Sequence, residues 1–189
     1  MNFAPLFPTL VGHTNKESSV PQILDIAKSY LSDDTKLFRG CDYKTTYGYV
    51  TNDTVDPMLS GFCDLIREAS SSWLTANNYQ QHPIKSINIF FNEMHNKDYH
   101  PRHSHANSHL SGVFYLSTPE GSGEFCFIDP SPVLDVLDLS CGTYTGKFKI
   151  KPKAGLLIVF PSWLEHEVEP CGSAEARISA PFNIVYGLP

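Results

Sequence analysis

The chain has 189 residues, 41% of them hydrophobic and 18% charged, and a formal net charge of -6. That length suits one domain with a sizeable core, and the composition is that of an ordinary globular protein. The acidic balance argues against a nucleic-acid partner, no run of like charge marks a membrane-surface patch, and no apolar stretch is long enough to span a bilayer.

The opening "MNFAPLFPTLVGHTN" has no basic start and carries two prolines, so it does not read as a signal peptide. "PQILDIAKSYLSDD" places Ile23, Ile26, Ala27 and Tyr30 at helical spacing, with Pro21 suited to a first turn. "DPMLSGFCDLIREASSSWLTANNY" does the same with Met58, Leu59, Phe62, Leu65, Ile66 and Trp73, and Asp56 is placed to cap its start. After Pro83 the composition turns to strands. "IKSINIFFNEMH", "LSGVFYLS" and "GEFCFIDP" are rich in β-branched and aromatic residues, and "GKFKIKP" alternates as an edge strand does. "AGLLIVFPSW" is a continuous apolar run, expected to be a buried strand. "EHEVEP" and "EARISAPFNIVYG" flank "CGSA" and predict a hairpin, while residues 131–146 lack periodicity and predict a long loop or lid.

The fold class expected is therefore mainly β with N-terminal helices (α+β). It is a double-sheet jelly roll of about seven strands, braced by a helical layer. The whole chain, 1–189, reads as one domain, with 1–82 as helical support and 83–189 as the β core. The five cysteines, Cys41, Cys63, Cys126, Cys141 and Cys171, are scattered and form no CxxC pair. They read as reduced thiols in a cytoplasmic protein.

Four of the eight histidines fall between His100 and His109. In a strand, residues i and i+2 share a face, so His103 and His105 would project together. His166 follows the buried run "LLIVF" and would reach the same mouth of the barrel. Three imidazoles so placed form a facial set that leaves open positions on an octahedral metal. A second register, His105 with Asn107, has the same spacing, but an amide oxygen is the weaker ligand. His100 and His109 read as surface residues or as supports behind the ligands. By itself an HxH pair is a weak signal, and a histidine-rich loop without metal is the plainer reading.

Arg177 sharpens it. If the hairpin turns within Cys171–Ala174, His166 and Arg177 lie opposite each other on adjacent antiparallel strands. A guanidinium one strand from a metal is placed to grip a carboxylate bidentately. The plainer reading is a surface arginine paired with Glu167 or Glu175. Against it, Arg177 shares parity with Ser179 in "RISAPFNI" and so belongs to a polar strand face.

In order, "HSHANSHLSGVFYL", "GEFCFIDP", "AGLLIVFPSWLEHEVEPC" and "RISAPFNI" resemble the 2-oxoglutarate and Fe(II)-dependent oxygenases. Small bacterial and phage members, similar to the prolyl hydroxylases, are the nearest in pattern. The resemblance spans residues 84–185, and the opening "LFPTLV" is similar too. It implies a double-stranded β-helix, Fe(II), 2-oxoglutarate and O2 as cosubstrates, and hydroxylation of a primary substrate that the sequence leaves open. Carried over, His103 and His166 match ligand histidines, and His105 stands where the wider superfamily has Asp or Glu. Arg177 matches the basic residue that holds the far carboxylate of 2-oxoglutarate. Tyr115 matches a tyrosine bonded to that same carboxylate, or else is a core aromatic.

Other residues have quieter readings. Asp129 is either a support for a ligand histidine or a turn residue, and Asn92 and Asn183 are either pocket or strand-end groups. Trp163 is expected to pack at a strand end, and Gly112 and Gly155 to permit close approach or a bend. Two other functions compete: a three-histidine cupin-type dioxygenase that does not use 2-oxoglutarate, and a jelly roll that only binds or supports. The sequence leaves oligomeric state open, a homo-oligomer included.

Overall fold

The computed structural model describes residues 7–37, 42–48, 57–131 and 146–187. Asp56, Cys41, Cys141 and residues 132–145 of the expected loop or lid lie outside them.

Eleven described strands form two antiparallel sheets. They are β1 (Gly12–Asn15), β2 (Lys44–Thr45), β3 (Ile84–Ile89), β4 (Asn92–Met94), β5 (His100–His103), β6 (Leu110–Ser117), β7 (Phe125–Ile128), β8 (Lys147–Ile150), β9 (Leu156–Pro161), β10 (His166–Val168) and β11 (Arg177–Tyr186). The larger sheet has the order β1-β9-β6-β11-β4-β2, with β3 also paired to β11, and the smaller has the order β5-β10-β7-β8. Two helices, α1 (Val20–Leu31) and α2 (Ser60–Ala76), pack on the outer face of the larger sheet.

Alternation decides which residues face which layer. Along β9, Leu157 and Val159 join the helices in one core, while Ile158 and Phe160 point between the sheets. Along β6, Phe114 and Leu116 face the helices, and Val113 and Tyr115 face inward. Both faces of these strands are covered, which is why their sequences read as continuous apolar runs. β11 splits differently. Ile178, Ala180, Phe182, Ile184 and Tyr186 lie in the helix-side core, whereas Arg177, Ser179, Pro181 and Asn183 line a cavity on the inner face.

Three expectations need correction. The "IKSINIFFNEMH" run is two strands, interrupted at Phe90–Phe91, and both pair with β11. β10 and β11 form no hairpin, since they belong to different sheets. The residues between them cross the gap, tied by Cys171 N–H to the Asp98 carbonyl and Gly172 N–H to the Gly121 carbonyl. Trp163 is exposed instead of packed. Gly112 behaves as expected: a Cβ there would sit 2.2 Å from Phe182 Cζ and 2.3 Å from the Ile158 carbonyl oxygen. Gly155 adopts φ +89, a left-handed conformation open to glycine.

Candidate metal centre and active site

The inner face holds a cavity of about 690 Å³. Three imidazoles meet at one end of it. His103 is the last residue of β5 and is paired directly with His166, the first residue of β10. His105 lies two residues beyond β5, in a loop and not in the strand expected for it. Its backbone N–H bonds to the Ser162 carbonyl at 2.9 Å, so the loop is tied to the turn that precedes His166. One nitrogen from each of His103, His105 and His166 lies within 4.8 Å of the others.

The outward hydrogen bonds of two rings fix their tautomers. His103 Nδ1 donates to the Pro101 carbonyl at 2.8 Å, and His166 Nδ1 donates to the Leu164 carbonyl at 2.9 Å. A carbonyl can only accept, so each Nδ1 carries the proton and each Nε2 presents a bare lone pair. His105 Nε2 and His166 Nε2 face each other at 3.3 Å. Cis nitrogens on a divalent ion with bonds of ~2.1 Å are separated by about 3 Å, so the spacing suits a shared metal. Burial disfavours the imidazolium at all three. His166 is pushed down to about 3 and His105 to about 4, chiefly by desolvation and then by the neighbouring histidines. His103 is also lowered by burial, against the opposing pull of the Pro101 carbonyl. Neutral imidazole is the ligand form.

His100 also lines this cavity, a placement that the parity of the sequence hides. It stands three positions before His103, which in a regular strand would put it on the opposite face. The ladder is irregular here: His103 pairs with His166 and His100 with Val168, so Pro101 and Arg102 oppose the single residue Glu167. This β-bulge re-aims His100, and the His100 and His103 rings approach to 4.1 Å between centroids. His100 Nδ1 is 2.8 Å from the Tyr43 hydroxyl. Arg102 points outward to Glu165.

Arg177 shares the cavity although β10 and β11 are in separate sheets. It is buried to 2% exposure and bonds to the Ser122 carbonyl and the Met94 sulfur. Among the described residues it forms no ion pair. Burial lowers its pKa, with the Tyr115 hydroxyl opposing. Tyr115 is buried, lines the cavity and lies in the inner apolar cluster; burial raises its pKa and the nearby Arg177 charge opposes this. A buried, uncompensated cation is costly unless an anion joins it. Among the described residues, the cavity lining holds no Asp, Glu or Lys.

The remaining candidates have structural partners. Asn92 accepts from Thr45 and Asn183 from Ser111, both on the cavity wall. Asp129 accepts the backbone N–H of Ser131 at 2.8 Å, so it serves the turn, and carbonyls orient the histidines. His109 Nδ1 accepts the Tyr186 backbone N–H. Asn107, at φ 62, is on the turn after His105 and lines the cavity. The sequence placed His100 at the surface or behind the ligands, not on the cavity face, and gave no sign of Tyr43; the only signal was Pro101, a residue compatible with a bulge.

A family model described as "Putative 2OG-Fe(II) oxygenase" matches residues 88–183, about half of the chain. No curated protein matches the sequence. Among solved structures, a prolyl-4-hydroxylase from Pseudomonas putida is similar at 17% identity and TM-score 0.63, over 95% of this chain and 94% of that one. HygX from Streptomyces hygroscopicus, with nickel and 2-oxoglutarate bound, is similar at 10% identity and TM-score 0.66, over 95% and 84%. A viral collagen prolyl hydroxylase from Paramecium Bursaria Chlorella virus-1 is similar at 15% identity and TM-score 0.58, over 94% and 96%. At these identities the likeness is one of fold, and the fold is the double-stranded β-helix.

Proposed function

The chain belongs to the 2OG-Fe(II) oxygenases, and from that premise we propose that His103, His105 and His166 hold the Fe(II) while Arg177 and Tyr115 hold 2-oxoglutarate. The observation that carries this is the pairing, in one cavity, of three convergent imidazoles with a buried guanidinium that has no ion-pair partner among the described residues. The donor set fits the metal: two Nε2 lone pairs are fixed by carbonyls behind them, and the third ring faces one of them. Three neutral ligands leave the full double charge of Fe(II) in place, and a dianionic cosubstrate offsets it. We assign His105 over Asn107 because imidazole is the stronger donor.

When bound there, the iron would couple O2 reduction to the decarboxylation of 2-oxoglutarate, giving succinate, CO2 and an oxygenated substrate. The chain's own residues do the rest. Arg177 anchors the carboxylate away from the metal, and the Tyr115 hydroxyl adds a donor beside it. Phe125 stacks on His166 and Phe160 meets it edge-on, and together they shield the ring from water. We treat the chain as one domain in which 1–82 brace the core 83–189. We place it in the cytoplasm, which suits the free thiols Cys63, Cys126 and Cys171.

The test is anaerobic calorimetry of 2-oxoglutarate titrated into Fe(II)-loaded protein. Binding is expected, with loss in H103A and a fall of about 100-fold in R177A, the scale of a lost bidentate charge pair. Unchanged affinity in R177A would overturn the anchor. Iron-dependent O2 uptake that ignores 2-oxoglutarate would favour the three-histidine dioxygenase.

A further inference from the structure

Four imidazoles line one end of the cavity, yet only three present a nitrogen to a common point. His100 is set apart by its position, and it also differs in the partner behind its ring. Behind His103 and His166 stand carbonyls, which accept and leave Nε2 bare. Behind His100 stands the Tyr43 hydroxyl, which can donate. A hydroxyl donating to Nδ1 requires the ring proton to sit on Nε2. A protonated Nε2 cannot bind a metal.

We propose that Tyr43 locks His100 in its Nε2–H tautomer, which bars this fourth histidine from the metal's coordination sphere and keeps it as a hydrogen-bond donor toward an oxygen acceptor of the primary substrate. The proposal rests on the metal centre assigned above. Two further observations support it. The β-bulge at Pro101–Arg102 brings His100 to the cavity face, with its ring centroid 4.1 Å from that of the ligand ring His103. Tyr43 comes from the segment 42–48, outside the residues matched by the family model. There β2 and its flanks set Tyr43, Thr45 and Tyr47 at alternating positions, and all three line the cavity. The wall beside His100 is therefore aromatic, and among the described residues the lining has no acid or lysine to pair a charged substrate. An uncharged substrate bearing a carbonyl, ether or hydroxyl oxygen fits it.

The experiment uses 15N-labelled full-length protein, metal-free and loaded with Zn(II) as a diamagnetic stand-in. Long-range 1H–15N correlation spectra read each histidine's tautomer. His100 is expected as Nε2–H, His103 and His166 as Nδ1–H. In Y43F, His100 is expected to lose its single Nε2–H state. Co(II) absorption provides the second readout. H100A is expected to keep the wild-type Co(II) spectrum, H103A to lose it, and Y43F to show an altered spectrum as His100 enters the coordination sphere. A bare Nε2 on His100 in the wild type, or loss of the Co(II) spectrum in H100A, overturns the proposal. If H103A and H166A retain the wild-type Co(II) spectrum, the metal centre itself is wrong, and the tautomer of His100 in metal-free protein still reports separately on the Tyr43 contact.

Discussion

At the scale of single residues, the site is built from groups whose neutral form burial enforces. His166 is held to about 3 and His105 to about 4, whereas an exposed histidine titrates near 6.5. Between those values the unfolded chain binds protons that the folded chain does not, so folding stability rises with pH across the window. Metal-free protein is therefore expected to be fully supported by these residues above pH ~6.5 and to lose that support progressively toward pH ~4. Thermal melts from pH 7 to 4.5 check this, and H105N should flatten part of the slope; an unchanged slope would mean that His105 is not held neutral by burial. The lowered carboxylates, such as Glu93 beside His95 and Lys44, lose their contribution only as the pH falls through the ordinary carboxylate range. Above about pH 5 the histidine contribution can be read separately.

At the scale of elements, Gly112 shows how tightly the strands of the larger sheet pack on their helix-facing side. Its missing Cβ leaves room for Phe182 on β11 and for the Ile158 carbonyl on β9, and one of those is backbone that cannot rotate away. G112A is expected to destabilise the fold by about 3 kcal/mol, the upper range for overpacking, which for a chain of this size lowers Tm by roughly 6–12 °C. A shift below 2 °C would show that the β9 and β11 strands yield more readily than close packing allows. Elements also mark where the sequence was legible. Both helices follow from periodicity, because each buries one regular face, and the β6, β7 and β9 strands follow from their apolar and aromatic runs, because both of their faces are covered. The β10–β11 relation does not, because "CGSA" carries turn chemistry whether the chain folds back within one sheet or crosses to the other. Arg177 was thus reached through a register that does not exist, and it still lines the cavity because its parity along β11 was read correctly. His100 was illegible for a sharper reason: a bulge inverts the parity on which such reading depends.

At the scale of the whole molecule, one cavity between two sheets joins contributions from residues 43 to 183. Ligands that bind only this assembled state should stabilise all of it. Zn(II) with 2-oxoglutarate, each at 100 times its Kd, is expected to add about 2.7 kcal/mol per independent site and to raise Tm by several degrees for each. Differential scanning calorimetry would check this, and H166A should abolish the rise. A rise of equal size in H166A would place the binding elsewhere.

The position of β11 has a consequence for how the chain is made. It lies between β6 on one side and β3 and β4 on the other, so the larger sheet has no middle until residues 177–186 are in place. During synthesis, β3, β4 and β6 emerge well before that strand, and their facing edges stay open meanwhile. At ~5–20 residues per second the interval lasts several seconds, and open edges are templates for wrong pairing. The step that completes the sheet also delivers Arg177, so a chain arrested before β11 has the three histidines but neither a closed barrel around them nor the cation that would draw in a dianion.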